Sequence, residues 1–184
     1  ESHRVFGSVS PFADCYRPHE TPDDPAMLRR FHQGHCDTLA WAGCDGLLAE
    51  TFADTLEIAI ATSAAYATGL EVWSSMSAGP EGRLFAPAPD GVAERVERVA
   101  EAGASVVLLN CIGLDHIDPF TTQLSIAAGS VGLPWGVYPN AGRQDGPFGW
   151  ADRGSESTAA QASRPAFERF VDQGASVLGA CCGM

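Results

Sequence analysis

A parallel α/β fold is the class this sequence predicts, and three observations carry the prediction. Five times an amphipathic stretch runs into a glycine and then into a short apolar segment, the alternation that builds parallel strands with covering helices. One of these segments, Val106-Val107-Leu108-Leu109, is apolar throughout, as a strand buried on both faces must be. The polar and reactive residues Ser8, Glu50, Ser77, Cys111, Asn140 and Cys181 fall where strands stop, and the loops after the strands are where parallel α/β folds keep their chemistry.

The elements follow in order. A first strand over Arg4 to Ser8 leads into Gly7-Ser8-Val9-Ser10-Pro11. The helix between Pro25 and Ala42 sets Leu28, Phe31, His35, Leu39 and Ala42 along one stripe at the 3.6-residue period, and Gly43 stops it. Strand Leu47 to Phe52 precedes a helix whose N-cap is Asp54, with Glu57 three residues on. Gly69 introduces the strand Val72 to Met76, and Asp90 opens a helix carrying Val92, Val96 and Val99. Gly103, Gly132 and Gly174 introduce the last three strands, Val106 to Asn110, Trp135 to Tyr138 and Val177 to Ala180, for six in all. The segment Ala141 to Ser157, with Trp150, reads as an active-site loop.

A length of 184 residues predicts one domain, residues 1–184, and 45% hydrophobic residues suffice for its core. A net charge of −12 argues against nucleic acid or an anionic membrane as partner, because no basic run exists to neutralise phosphates; a small molecule fits better. No apolar run approaches the ~20 residues of a membrane span, and the N-terminus lacks the layout of a signal peptide. Neither a domain linker nor a Walker-type or G-x-G-x-x-G phosphate loop is present. The six unevenly spaced cysteines read as free thiols of a reducing cytoplasm. The chain opens on Glu1 rather than Met, which points to processing or truncation upstream.

Three of those cysteines, Cys111, Cys181 and Cys182, stand at the ends of two predicted strands. Adjacent cysteines cannot both face one point from a regular strand, so the backbone must turn at Cys181-Cys182, and Gly183 eases that turn. Two readings stay open from spacing alone: buried thiols acting as small hydrophobes, or a thiolate zinc site with sulfur at about 2.3 Å and a vacant fourth position.

Gly7-Ser8 with Pro11, Glu50-Thr51, Asn110-Cys111, Tyr138-Pro139-Asn140-Ala141-Gly142 and Gly179-Ala180-Cys181-Cys182-Gly183 occur in that order. Together they resemble the zinc-dependent homocysteine S-methyltransferase family over nearly the whole chain. The resemblance implies a TIM-type (β/α)₈ barrel, here lacking the first two strands and the last helix. It further implies Zn²⁺ held by Cys111, Cys181 and Cys182, and Glu50 holding the homocysteine amino group. Asn110 and Asn140 are the other candidate substrate contacts, although both also suit loop capping.

The implied reaction moves a methyl group from a sulfonium donor, S-methylmethionine or S-adenosylmethionine, to the thiol of L-homocysteine, giving methionine. Homocysteine and the donor are then the partners, and the open barrel edge predicts self-association. Two other classes compete: a truncated, non-catalytic zinc-binding remnant, and a redox-sensitive thiol protein using Cys181 and Cys182. A disulfide between Cys111 and Cys181 is not expected, because one intervening strand sets their strands roughly 10 Å apart. His32 and His35, with Cys36, read as a partly solvated helix face rather than a second metal cluster, Cys15, Cys36 and Cys44 as structural or incidental thiols, and Trp41, Trp73, Trp135 and Trp150 as core or loop packing.

Overall fold

The structure, a computed structural model, describes residues 3–79, 91–140 and 156–182. Among these residues six strands, β1 (Phe6–Val9), β2 (Gly46–Phe52), β3 (Glu71–Met76), β4 (Val106–Gly113), β5 (Trp135–Asn140) and β6 (Val177–Leu178), alternate with five helices. The helices are α1 (Pro25–Trp41), α2 (Thr55–Tyr66), α3 (Gly91–Glu101), α4 (Asp118–Val131) and α5 (Glu156–Asp172), and a single 3₁₀ turn (Pro18–Glu20) lies before α1. The strands form one sheet in chain order, every neighbouring pair parallel, and β1 and β6 are its two open edges. This is the unclosed section of a barrel that the sequence predicts.

Alternation along the strands divides the sheet into two faces. Leu47, Ala49, Val72, Val107, Leu109 and Val137 are buried with Ile58, Ala61 and Ala65 of α2, Val96 and Val99 of α3, and Leu124 of α4 in one core cluster. The opposite face carries Phe6, Ser8, Glu50, Trp73, Ser75, Leu108, Asn110 and Tyr138. Polar residues concentrate on this second face toward the C-terminal ends of the strands. Gly132 shows how helix gives way to strand: at φ 71 it caps α4 in the left-handed region, its N–H bonding to the carbonyls of Ala128 and Gly129. Gly43, Gly69, Gly103 and Gly174 also take positive φ, each between a helix and the next strand.

Asp54 is the N-cap of α2, accepting a hydrogen bond from Glu57 N as expected, and Val92, Val96 and Val99 are the buried row of α3. The stripe of α1 is different. Its buried residues are Leu28, His32 and Cys36, an i, i+4 row, whereas Phe31 is 41% exposed and Ala42 lies outside. The reason is polar: His32 turns inward to bond Glu57, and Phe31 packs edge-on against Phe12 instead. His32 is therefore an interior residue and not part of a solvated face, and Cys36 is a buried thiol of the core. Trp41, at 90% exposure, is not in the core, while Trp135 is buried and Trp73 stacks on Phe6. Asp90, Trp150, Gly183 and nearly all of the Ala141–Ser157 segment lie outside the described residues.

Both strands that carry candidate residues are longer and less regular than the sequence suggests. The β2–β3 register shifts between Ala49 and Phe52, and the β4–β5 register shifts between Asn110 and Gly113. At the two irregularities stand the only non-glycine residues of positive φ among those described, Thr51 at 69° and Cys111 at 51°. Such conformations cost roughly 1–3 kcal/mol each and persist only where the surroundings hold them.

Candidate metal centre

Cys111 sits within the bulge of β4, which breaks the alternation and re-aims its side chain. The backbone reaches Cys181 by extending past β6: Gly179 N bonds Val137 O and Cys181 N bonds Pro139 O, so β5 guides the chain to the site. The outcome is convergence. Cys111 Sγ lies 3.0 Å from Cys181 Sγ, Cys181 Sγ lies 3.8 Å from Cys182 Sγ, and all three sulfurs fall within 4.8 Å of one another. A tetrahedral zinc shell with sulfur at about 2.3 Å spaces its sulfurs about 3.8 Å apart, so these thiols fit one such ion with little movement. The bulge at Cys111 and the turn beyond β6 close the gap that one intervening strand leaves between the two strand ends. All three are nonetheless free thiols.

The Cys111 thiol is held below its ordinary value chiefly by its hydrogen bond with Cys181, against the cost of burial, with the Thr51 and Tyr16 hydroxyls contributing further. Cys181, the partner in that bond, is correspondingly raised, by the bond to Cys111 and by burial. Tyr16 is raised by burial and by the neighbouring Cys111 charge. Burial and Asp14 push Cys15 up to about 11, and the nearby Cys181 and Cys182 add to the rise.

Asn110 is fully buried, and its carboxamide ties the two bulges together. Oδ1 accepts from Thr51 N at 3.0 Å and from Ser75 Oγ at 2.8 Å, while Nδ2 donates to Thr51 Oγ1 at 2.7 Å. One side chain thus holds both positive-φ residues in register. Ser77 Oγ donates to the Cys111 carbonyl, a further tether on the same bulge.

Glu50 lies at the strand ends on the same face. Ser8 Oγ donates to its Oε1 and Tyr138 Oη to its Oε2, the latter at 3.0 Å. Tyr138 is raised well above its usual range by burial and by the Glu50 charge, so it stays a hydroxyl donor. Asn140 ends β5 fully buried, and its carbonyl accepts from Leu114 N. The structure therefore brings Cys111, Cys181 and Cys182 together and places Glu50, Asn110 and Asn140 at the same end of the sheet. Sequence reasoning missed Tyr16, Ser75 and Tyr138 as working residues; Tyr138 stood inside a recognised motif, whereas nothing local marks Tyr16.

The profile of the homocysteine S-methyltransferase family matches residues 1–184. The chain belongs to that family. Betaine–homocysteine S-methyltransferase 1 of Bos taurus is 28% identical over 175 residues, covering 85% of this chain and 40% of the relative. The Mus musculus protein of the same name is 30% identical over 158 residues, covering 76% of this chain and 36% of the relative. The chain thus spans about 40% of the length of the curated relatives it matches. Among solved structures, the metallated homocysteine methyltransferase MmuM from Escherichia coli superposes with a TM-score of 0.69 at 24% identity, over 98% of this chain and 57% of that one. A putative phosphonomutase from Burkholderia cenocepacia follows the same fold at TM-score 0.61 and 17% identity, over 87% of this chain and 74% of that one. For a homocysteine S-methyltransferase family member, a six-stranded parallel sheet with thiols gathered at its C-terminal edge is the part of the barrel that carries the metal-ligand candidates.

Proposed function

We propose that this chain provides the thiolate and homocysteine-binding portion of a zinc-dependent homocysteine S-methyltransferase that uses a sulfonium donor, S-methylmethionine or S-adenosylmethionine, to form methionine. The observation that supports this most is the convergence of Cys111, Cys181 and Cys182 at the same sheet edge as Glu50. These cysteines would hold Zn²⁺, which when bound would keep the thiol of homocysteine deprotonated near neutral pH. Glu50, fixed at both oxygens by Ser8 and Tyr138, keeps lone pairs for the homocysteine ammonium and so orients the substrate by a charge-assisted bond. Asn140, buried at the end of β5, remains the second candidate substrate contact, and we assign Asn110 to holding Cys111 in place rather than to substrate.

In the transfer the substrate sulfur forms a bond to the donor methyl carbon as the carbon–sulfonium bond breaks, the donor leaving as a neutral thioether. The thiol proton is released on binding. Proximity and alignment supply much of the acceleration. A quaternary ammonium donor is the second reading, favoured by the names of the curated relatives, which pair betaine with homocysteine. Methionine formation from homocysteine with S-methylmethionine, S-adenosylmethionine and betaine offered separately tests both. Turnover with a sulfonium supports the first reading and turnover with betaine alone the second. Stoichiometric zinc without methionine marks a non-catalytic remnant, and a zinc-free protein that reversibly loses two thiols marks a redox protein.

A further inference from the structure

The loop between β1 and α1 brings Tyr16 beside the thiolate cluster, close enough for its hydroxyl and the Cys111 sulfur to act on each other electrostatically. Local turns shape the loop: Tyr16 N bonds Asp14 Oδ1 at 2.8 Å, and Thr21 N closes the Pro18–Glu20 turn on Pro18 O. Neither turn fixes where the loop lies against the sheet. Glu57 does. It is 1% exposed in the first turn of α2, a position where a glutamate ordinarily reaches back to its own helix cap. Here Oε1 accepts from Phe12 N at one end of the loop, and Oε2 accepts from Thr21 Oγ1 at the other, 3.2 Å away.

The third donor is His32 of α1, whose Nε2 stands 3.0 Å from Glu57 Oε1 at 0% exposure. A carboxylate only accepts, so Nε2 carries the hydrogen, and Nδ1 finds no partner among the described residues. Burying a carboxylate is costly unless its oxygens are satisfied, and here two donors come from the loop and the third from α1 immediately after it.

We propose that Glu57, held by His32, is a positioning residue: it pins both ends of the 10–24 loop and thereby sets where Tyr16 stands beside Cys111. The consequence for methyl transfer rests on the function proposed above, but the placement of the loop does not. Glu57→Gln puts an amide N–H against donors that need an acceptor, and Thr21→Val removes one anchor without entering the core.

In zinc-free protein, the high-pH plateau rate of Cys111 alkylation by iodoacetamide, where the thiol is fully ionised and the loss of Tyr16 as a donor no longer changes the thiolate fraction, read by peptide mass spectrometry, should accelerate about tenfold in both variants, as loss of one charge-assisted hydrogen bond anchoring the loop implies. Zinc content should stay at the wild-type level, since no ligand lies on the loop. In methyl transfer, Glu57→Gln and Tyr16→Phe should each lower kcat/KM, and the double variant should fall no further than the worse single, because both act through one contact. Wild-type alkylation rates in both variants, or losses that multiply in the double variant, would overturn the assignment. Faster alkylation in a protein whose wild type makes no methionine leaves the loop's anchoring supported and overturns the transferase reading instead.

Discussion

Replacing Asn110 by Ala removes the one side chain that bonds both bulges. Three hydrogen bonds disappear, two to Thr51 and one to Ser75, in a fully buried setting. At about 1 kcal/mol each, with a further penalty because Thr51 N is left without its acceptor, the loss comes to about 3–4 kcal/mol. For a chain of this size each kcal/mol lowers Tm by about 2–4 °C, so a drop of about 6–16 °C should appear in thermal denaturation followed by circular dichroism. Ser75→Ala, which removes only one of the three bonds, should cost about 1 kcal/mol. Release of the clamp also frees Cys111 from φ 51, and zinc affinity should fall even though every thiol remains. An Asn110→Ala protein within about 1 kcal/mol of wild type, measured against a typical stability of 5–15 kcal/mol, would refute the clamp.

Glu50→Gln should leave zinc content unchanged and weaken homocysteine binding by about tenfold or more, the value of one charge-assisted bond, as read by titration calorimetry; unchanged affinity removes Glu50 from the site. Cys36 is wholly buried, and burial with Asp37 nearby pushes its thiol up to about 11, so it should resist alkylation at pH 8 in the folded protein and react on denaturation. Rapid native-state labelling of Cys36 would contradict its place in the α1 core. The described sheet leaves an open edge at β1 and another at β6, with Leu178 42% exposed, so these 184 residues on their own should self-associate in size-exclusion chromatography with light scattering. A stable monomer would show that the edges are covered within the chain.

The strand order and the placement of the three cysteines were legible in the sequence because both depend on local signals. Glycines mark each helix-to-strand passage, and an uninterrupted apolar run marks β4. The bulges at Thr51 and Cys111 were not legible, since a register shift is a property of two strands and Asn110 enforces both from a distance. The face of α1 was misread for a related reason: His32 counts as polar by residue type, yet a buried carboxylate on α2 makes its interior position favourable. Tyr16 escaped notice because Glu57, far along the chain, decides where its loop lies. Asn110 illustrates the same divide, its proximity to the site being readable from the motif and its partners only from the fold.

Zinc stoichiometry and coordination in wild type and Cys111→Ser test the account most directly. Metal analysis should find one zinc per wild-type chain, and X-ray absorption should show three protein sulfurs at about 2.3 Å with a lighter atom completing the shell. Addition of homocysteine should raise the sulfur count to four, and Cys111→Ser should lose stoichiometric zinc. Full zinc retention in Cys111→Ser, or a wild-type protein that binds no zinc, would contradict the central claim.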